Sequence, residues 1–313
     1  MGSAGTLLRM GALALMWGSS FLWIKLGLDT LSPVQLVLVR VLLGAMVLAG
    51  LCQLRRLRLP RQRRVWRHLV VAALFGNALP FLAFAYGEQT TDSGVAGVLN
   101  STTPLWALLI AVLIGQQRSM NPLRLLGLLL GFGGTLLIFA PWQAGDLMTW
   151  GALACLGAAA SYAISFSYIG RHLAGRGLSP MVLAASQMIT ACGLTVFALP
   201  AGGTASVQLE VGPLLAVVVL GVFSTGFAFV LNYRLIADEG VVVASTVGYL
   251  LPVVSVLLGT VFLGESLNPR VIAGMIVVLA GVALTRRPDR PATTTALPRN
   301  PPPESRPRPR QMR

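Results

Sequence analysis

The sequence predicts an all-α integral membrane protein. Of its 313 residues, 55% are hydrophobic and only 11% are charged, and the mean hydropathy is +0.75, whereas a soluble domain carries roughly 25% charged residues. The apolar residues fall in blocks of about twenty, which is the length that an α-helix needs to cross a bilayer core of ~30 Å. The alternating polarity of a barrel strand is absent from these blocks, so helices are the predicted spanning elements.

Ten such blocks can be delimited, and each is predicted to be a transmembrane helix. The first is expected to be retained rather than cleaved as a signal peptide, because no small-residue cleavage site follows its apolar run. The connections are short and rich in turn residues, as in Asp29-Thr30-Leu31-Ser32-Pro33. The predicted spans are approximately 7–27, 34–54, 69–87, 95–115, 123–140, 150–170, 180–200, 212–234, 241–263 and 269–285.

The distribution of basic residues predicts the orientation of the chain. With the N-terminus in the cytoplasm, 21 of the 24 Lys and Arg residues fall on that side, seven of them between residues 55 and 67 and eight from Arg286 onwards. Cytoplasmic loops carry such an excess of positive charge, so we expect a multi-pass protein of the cell (inner) membrane with both termini cytoplasmic. The acidic residues expected at or near the opposite surface are Asp29, Glu88, Asp92, Asp146, Glu210 and Glu265.

The formal net charge of +14 does not indicate a nucleic-acid partner, because the arginines are concentrated in short loops and in the tail. Residues 286–313 hold eight prolines and no apolar periodicity, which predicts a disordered cytoplasmic tail. Its arginines either touch anionic lipid headgroups or only secure the topology. The cysteines Cys52, Cys155 and Cys192 lie inside apolar spans without metal-ligand spacing, so no metal site is expected.

The two halves of the chain repeat at a fixed offset of 147 residues. Leu31-Ser32-Pro33 aligns with Leu178-Ser179-Pro180, and Gly127 and Gly134 align with Gly274 and Gly281. The first repeat is assigned to residues 1–143 and the second to 144–285, with 286–313 as the tail. Since each repeat has five spans, the second must enter the membrane from the opposite side. Many secondary transporters are built from inverted repeats of this kind, with the substrate site between them.

Several short motifs resemble those of EamA-type proteins of the drug/metabolite transporter superfamily, over about residues 7–285. The resemblance implies ten helices in two EamA repeats and export of small metabolites or drugs, in many members amino acids. The second repeat departs from the pattern at Gln187, which replaces Arg40, and the first departs at Gln116 or Gln117, where a glutamate is usual. The motifs are Trp17-Gly18-Ser19-Ser20-Phe21 with Lys25, Ser32-Pro33 with Arg40, Tyr249-Leu250-Leu251-Pro252-Val253, Leu263-Gly264-Glu265, and Asn268-Pro269.

One face of the third span combines polar and aromatic side chains, since Asn77, Phe81, Phe84 and Glu88 follow helical spacing. The offset places Ser224 at the position of Asn77, so a polar group recurs at one level of both repeats. Two interpretations stay open. The face is the wall of a cavity for a small organic solute, or it packs against a neighbouring helix to which Asn77 is hydrogen-bonded.

The fourth and ninth spans are both polar and interrupted by proline, at Pro104 and Pro252. Paired interruptions at matching positions indicate a transport site, and two structural kinks are the alternative. The predicted substrate-binding residues of these segments are Asn100, Thr103, Trp106, Ser245 and Tyr249.

Charged side chains inside the membrane are the sharpest signal. Arg40 lies inside the second span, where an unpaired charge costs several kcal/mol, and Lys25 and Glu88 lie toward the same outer half. The three residues are predicted to form an outer vestibule that engages a substrate carboxylate. The alternative is that both cations extend to the outer interface or cap helix carbonyls, and that Glu88 merely forms an ion pair. No Asp, Glu or His lies at the centre of a span, so Glu88 is the best candidate for coupling to protons.

These observations predict a secondary active transporter that exports small metabolites, amino-acid-like and neutral or zwitterionic, or drugs, by alternating access. The alternatives are a nucleotide-sugar or lipid-precursor carrier, which would need more buried cations, and a membrane scaffold or sensor. We expect no enzymatic activity and no cofactor, because the sequence has no phosphate loop, catalytic triad or metal cluster. The partners are a solute, membrane lipid and the candidate proton, and Gly127-Leu128-Leu129-Leu130-Gly131 leaves a homodimer open.

Overall fold

The computed structural model describes residues 3–91, 93–115, 122–140, 149–175, 177–203, 210–263 and 269–285. These residues form helices joined by short turns, without a β-strand among them, which confirms the all-α prediction. Among the described residues, six helical segments are long and apolar enough to cross a membrane, and four shorter apolar helices accompany them. The predictions that concern residues 92, 116–121, 146, 264–268 and 286–313 fall outside the described part of the chain.

The helices follow the predicted spans, several of which are divided into two pieces. In chain order they are α1 (Ser3–Gly18), α2 (Ser20–Leu28), α3 (Pro33–Leu54), α4 (Arg63–Ala73), α5 (Leu79–Gly87), α6 (Ser93–Asn100), α7 (Thr103–Leu113), α8 (Pro122–Phe139), α9 (Trp150–His172), α10 (Pro180–Val196), α11 (Val211–Gly221), α12 (Ala228–Glu239), α13 (Val241–Ser245), α14 (Val247–Leu263) and α15 (Pro269–Thr285).

The eighth predicted span is longer than expected, since the helix continues past residue 234 to Glu239. Its last residues bond to the beginning of α1. Thr6 donates a hydrogen bond of 2.6 Å to Glu239, and Arg9 forms an ion pair of 2.5 Å with Asp238. These tertiary contacts supply partners for a polar helix end that hydropathy alone would assign to a loop.

The repeated Ser-Pro pairs are helix starts. Ser32 precedes α3 and accepts a hydrogen bond from the Gln35 backbone, and the Gln35 side chain accepts one in return from the Ser32 backbone. Ser179 caps α10 in the same way through the Val182 backbone. Serine at the N-cap followed by proline satisfies a free amide and fixes the first helical residue, which explains why the pair recurs in both repeats.

Two helices contain a π-helical segment at equivalent positions. Leu74–Ala78 lies between α4 and α5, and Val222–Phe227 lies between α11 and α12. The offset of 147 would place the first segment at 221–225. A π-helical turn disturbs the regular backbone hydrogen bonds and is frequent at functional sites.

Side chains from other elements bond to the carbonyls near the first π segment. Ser165 and Gln187 donate to the Ala72 carbonyl at 3.0 and 3.3 Å, and Ser161 donates to the Phe75 carbonyl at 2.7 Å. Hydroxyl and amide partners of this kind are how irregular helix is tolerated at membrane depth.

The interruptions of the fourth and ninth spans differ in detail. Pro104 stands at the start of α7, directly after a break at residues 101–102, whereas Pro252 lies inside α14 and the break precedes it at Thr246. Hydroxyl groups satisfy the carbonyls at both breaks. Thr103 donates to the Asn100 carbonyl at 2.7 Å, and Thr246 donates to the Val243 carbonyl at 2.7 Å.

Helices α8 and α15 pack closely along one another through glycines. A Cβ atom on Gly127 would lie 2.7 Å from the Gly281 carbonyl oxygen, and one on Gly134 would lie 2.7 Å from that of Gly274. The beginning of α8 therefore meets the end of α15, so the two helices are antiparallel. The glycines predicted to permit close helix approach are used within a single chain.

Helices α3 and α10 also occupy equivalent places in the two repeats and are antiparallel. Ser32, before α3, donates a hydrogen bond of 2.7 Å to the Gly202 carbonyl beyond the end of α10. At the other end, the Cys52 thiol lies 4.0 Å from the carbonyl oxygen of Met181, near the start of α10. In α8 and α15, likewise, Gly127 meets Gly281 and Gly134 meets Gly274. An approximate twofold axis between the repeats produces contacts of this antiparallel kind.

Candidate functional site

A cavity lies between the two repeats. The empty space within it and at its open mouth together amounts to about 650 Å³. Residues from α1, α2, α3, α5, α6 and α7 line one part of it, and residues from α9, α12, α13 and α14 line the rest. The lining residues are Trp17, Ser20, Phe21, Ile24, Arg40, Phe81, Phe84, Asn100, Thr103, Tyr162, Phe166, Phe229, Ser245 and Gly248.

Seven of the fourteen lining residues are aromatic, and their rings contact one another across the repeats. Trp17 and Phe166 are stacked, with ring centroids 6.3 Å apart and an interplanar angle of 6°. Phe81 and Phe229 meet edge to face with centroids 6.3 Å apart. Such offset and edge-to-face pairs are the favoured arrangements of aromatic side chains, and their faces provide a broad apolar surface for a ligand.

Arg40 is the cationic residue of the lining. Its Nε donates a hydrogen bond of 2.7 Å to the Thr225 hydroxyl in the second π segment, and its guanidinium carbon lies 3.7 Å from the centre of the Phe81 ring. The side chain is 4% exposed, and within the described residues it makes no ion pair with a carboxylate. The remaining guanidinium N–H groups suit a carboxylate ligand.

Uncharged polar residues also contribute to the lining. Asn100, Thr103 and Ser245 line the cavity, and the Ser245 hydroxyl donates to the Val242 carbonyl at 2.8 Å. Since Thr103 and Ser245 use their protons locally, each keeps acceptor capacity toward the cavity. The Asn100 amide makes no hydrogen bond to the described residues and offers both a donor and an acceptor.

Asn77 lies outside the lining, in a buried polar cluster with Gln187 and Tyr233. Gln187 donates to the Asn77 amide oxygen at 2.6 Å, and Tyr233 donates to the Gln187 amide oxygen at 2.5 Å. The Asn77 amide nitrogen lies 3.8 Å from the sulfur of Met188. This arrangement matches the interpretation in which Asn77 bonds to neighbouring helices.

Three further predicted binding residues also lie outside the lining. Trp106 is half-buried, and Ser224 is buried in the second π segment, where its hydroxyl has no partner within the described residues. Tyr249 is fully buried and its ring lies over Gly131 of α8. A role in binding substrate stays a prediction for each of them.

The predicted vestibule residues differ in their exposure. Lys25 is exposed, whereas both carboxylate oxygens of Glu88 are buried and lack a hydrogen-bond partner within the described chain. Arg40 and Lys25 both attract Glu88 electrostatically, yet neither forms an ion pair with it. The structure therefore brings Glu88 near Arg40 without the pairing that the alternative interpretation required.

Five of the seven aromatic residues in the cavity wall are not among the binding residues predicted from the sequence, namely Trp17, Phe21, Tyr162, Phe166 and Phe229. Trp17 and Phe21 are four residues apart on the first span, and Tyr162 and Phe166 are four apart on the sixth. Spacing of this kind places each pair on one helical face. That signal was available, although it does not reveal which neighbouring helix the face meets.

Contacts between the repeats continue at both ends of the helices around the cavity. His68 of α4 and Tyr168 of α9 form a hydrogen bond of 2.7 Å, and Arg9 of α1 forms its ion pair with Asp238 of α12. At the opposite ends of α5 and α9, the hydroxyl oxygens of Thr91 and Thr149 are 3.3 Å apart.

One family model and several transporter-named relatives match most of this chain. The sequence profile described as "EamA-like transporter family" matches residues 6–140 and again 149–287. The chain is 28% identical over 282 residues to "Uncharacterized transporter YdfC" of Bacillus subtilis (strain 168), which covers 86% of this chain and 87% of the relative. It is also 28% identical over 281 residues to "Uncharacterized inner membrane transporter YedA" of Escherichia coli (strain K12), covering 88% of each.

A solved structure has the same fold. It is described as "Crystal structure of protein", superposes with a TM-score of 0.75, and covers 90% of this chain and 96% of its own. At 21% sequence identity, this likeness concerns the fold alone.

Proposed function

Because this chain belongs to the EamA-like transporter family, we propose that it is a secondary transporter that exports small amino-acid-like metabolites by alternating access. The solutes are neutral or zwitterionic, and the chain acts without enzymatic chemistry. The observation that carries this proposal is the aromatic cavity with one cation, lined by both repeats. A rocking motion of one repeat against the other would change which side of the membrane reaches such a cavity.

The lining favours a solute with an apolar or aromatic body and a carboxylate. The aromatic rings supply the apolar surface, Arg40 supplies a positive charge, and Asn100 supplies a donor and an acceptor. Since the lining contains no acidic side chain, a cationic drug would meet the positive charge of Arg40 and find no carboxylate in the lining with which to pair. A nucleotide-sugar or lipid-precursor carrier would need more cations than Arg40 to hold a pyrophosphate.

The proposal includes ten transmembrane helices in two inverted repeats, assigned to residues 1–143 and 144–285. The antiparallel packing of α3 with α10 and of α8 with α15 supports the inversion. The basic loops favour cytoplasmic termini in the inner membrane, and residues 286–313 would form the cytoplasmic tail. The close glycine packing between α8 and α15 favours a functional unit within one chain over a glycine-mediated homodimer.

Efflux from liposomes tests this function. Purified protein is reconstituted in liposomes loaded with a mixture of neutral amino acids, nucleosides and organic cations, and the retained solutes are followed by mass spectrometry. The proposal predicts selective, protein-dependent loss of neutral amino acids. Loss of organic cations instead would contradict the assigned role of Arg40, and the absence of any protein-dependent loss would favour the scaffold.

A further inference from the structure

Glu88 is a buried carboxyl group for which the cavity lining gives no explanation. It follows α5 directly, and both of its carboxylate oxygens are buried without a hydrogen-bond partner within the described residues. An ionised carboxylate in such a place is costly, because burial removes its hydration and no donor replaces it. The protonated form avoids much of that cost.

The charged and titratable groups around Glu88 come from three elements. Arg40 on α3 and Lys25 on α2 attract its carboxylate, and Tyr162 and Cys155 on α9 face it. Both Arg40 and Tyr162 also line the cavity, whereas Glu88 does not. Arg40 therefore belongs to the cavity lining and also attracts a carboxyl group outside that lining, and it forms an ion pair with neither Glu88 nor any other described carboxylate.

We infer that Glu88 is a proton-binding site that is linked to solute binding through Arg40. This inference rests on the proposed function. In the empty cavity, attraction to Arg40 and Lys25 partly compensates the cost of burying the ionised carboxylate, so that Glu88 can release its proton. When a solute carboxylate approaches Arg40, Glu88 accepts one proton, so that two negative charges do not compete for one cation.

The sign of the coupling follows from this exchange of charge. A solute carboxylate near Arg40 disfavours the charged form of Glu88, so the solute and the proton bind together rather than in competition. Each exported solute then leaves with one proton, and efflux runs down the gradient of the solute. Antiport, in which a proton displaces the solute, would require the opposite sign.

The proton site can be tested without any solute. Infrared difference spectroscopy of the reconstituted full chain is compared between wild type and Glu88→Gln across mildly acidic to mildly alkaline pH. We expect a protonated carboxyl band that titrates in wild type and is missing in Glu88→Gln. Glu210→Gln, which removes an exposed carboxyl group, should keep the band. Identical spectra for wild type and Glu88→Gln would overturn the inference.

Removing a cation tests the link to Arg40. In Arg40→Gln, Glu88 should keep its proton up to a higher pH than in wild type, because the attraction of Arg40 for the ionised carboxylate is lost. Lys25→Gln should shift the band in the same direction, and it provides the measurement if Arg40→Gln fails to fold. A band whose titration ignores both substitutions would contradict the electrostatic link.

Coupling is then measured with L-phenylalanine as the probe, since it combines an aromatic ring with a carboxylate. In wild type its affinity should fall by up to about tenfold per pH unit as Glu88 loses its proton, and in Glu88→Gln it should not depend on pH over that range. The same pH dependence in both proteins would overturn the coupling. A titrating band without transport of any probe would leave the proton site standing and reject the proposed function.

Discussion

Arg40 and Gln187 occupy equivalent positions in the two repeats, and each bonds to a π segment of the other repeat. Arg40 donates to Thr225 at 2.7 Å, and Gln187 donates to Asn77 at 2.6 Å. Their environments differ, since Arg40 reaches the cavity and Gln187 is fully buried. The repeats thus share a structural contact at this position, while of the two residues only Arg40 places a charge in the cavity lining.

Replacing Arg40 with alanine should slow transport strongly. A hydrogen bond to a charged group contributes about 1.5–3 kcal/mol, so its loss predicts roughly a 10- to 100-fold decrease in efflux of neutral amino acids from liposomes. Membrane insertion should persist. Arg64→Ala removes an exposed arginine of α4 and serves as the control. Unchanged turnover in Arg40→Ala would assign Arg40 a structural role.

Replacing Gln187 with leucine should destabilise the fold. The substitution leaves the Asn77 amide oxygen and the Tyr233 hydroxyl without their partners, which costs about 1–3 kcal/mol for a buried group. The measurement is the free energy of unfolding in a detergent titration. Gln53→Leu, at an exposed position of α3, should have little effect. Equal stability of the two variants would mean that the cluster is not a stabilising element.

At the scale of elements, glycine determines how closely α8 and α15 approach. The carbonyl oxygens of Gly274 and Gly281 occupy the space that side chains on Gly134 and Gly127 would need. Backbones can approach in this way only where both helices lack side chains, as is common between membrane helices. The contact joins equivalent helices of the two repeats, so it holds the repeats together.

Valine at Gly134 should therefore disrupt this pair of helices. Its Cβ would lie 2.7 Å from the Gly274 oxygen and from the Val278 nitrogen, and overpacking of this kind costs about 1–3 kcal/mol. We expect a lower melting temperature and less monodisperse protein on gel filtration. Gly133→Val is the matched control, because a Cβ on Gly133 meets nothing within 4 Å. Equal behaviour of the two variants would reject the packing role.

The helices can be predicted from the sequence, whereas their interruptions can be predicted only in part. Length and composition predict the apolar helices, and Ser32 and Ser179 mark two of their starts. The π segments were not predicted, because hydrophobic periodicity does not record which carbonyl each amide bonds. Ser165 and Gln187 supply partners from distant elements, and those partnerships arise only in the folded chain.

At the scale of the whole molecule, the cavity is a product of both repeats. Phe81 of one repeat and Phe229 of the other meet edge to face, and Arg40 of the first bonds to Thr225 of the second. A change in the relative position of the repeats must therefore alter the wall and the charge of the cavity together. This dependence is the structural basis of the alternating-access proposal.

The composition of this cavity was partly predictable from the sequence. Arg40, Phe81, Phe84, Asn100, Thr103 and Ser245 were all selected from polarity, helical spacing and intramembrane charge, and all of them line it. Tyr249 and Asn77 have the same polar and aromatic character but are buried between helices instead. Spacing identifies a helical face, and only the packing of the two repeats decides whether that face meets a helix or a cavity.

Filling the cavity tests the central claim, that solute moves through the space between the repeats. Leucine at Gly248 adds a side chain to the lining, and a Cβ there keeps ordinary contact distances of 4.0 Å to the Asn100 oxygen and to Pro104. Gly133→Leu adds the same side chain in open space on α8. In the liposome efflux assay, Gly248→Leu should fall to the protein-free rate while remaining monodisperse, and Gly133→Leu should transport as wild type. Wild-type efflux by Gly248→Leu would contradict the account.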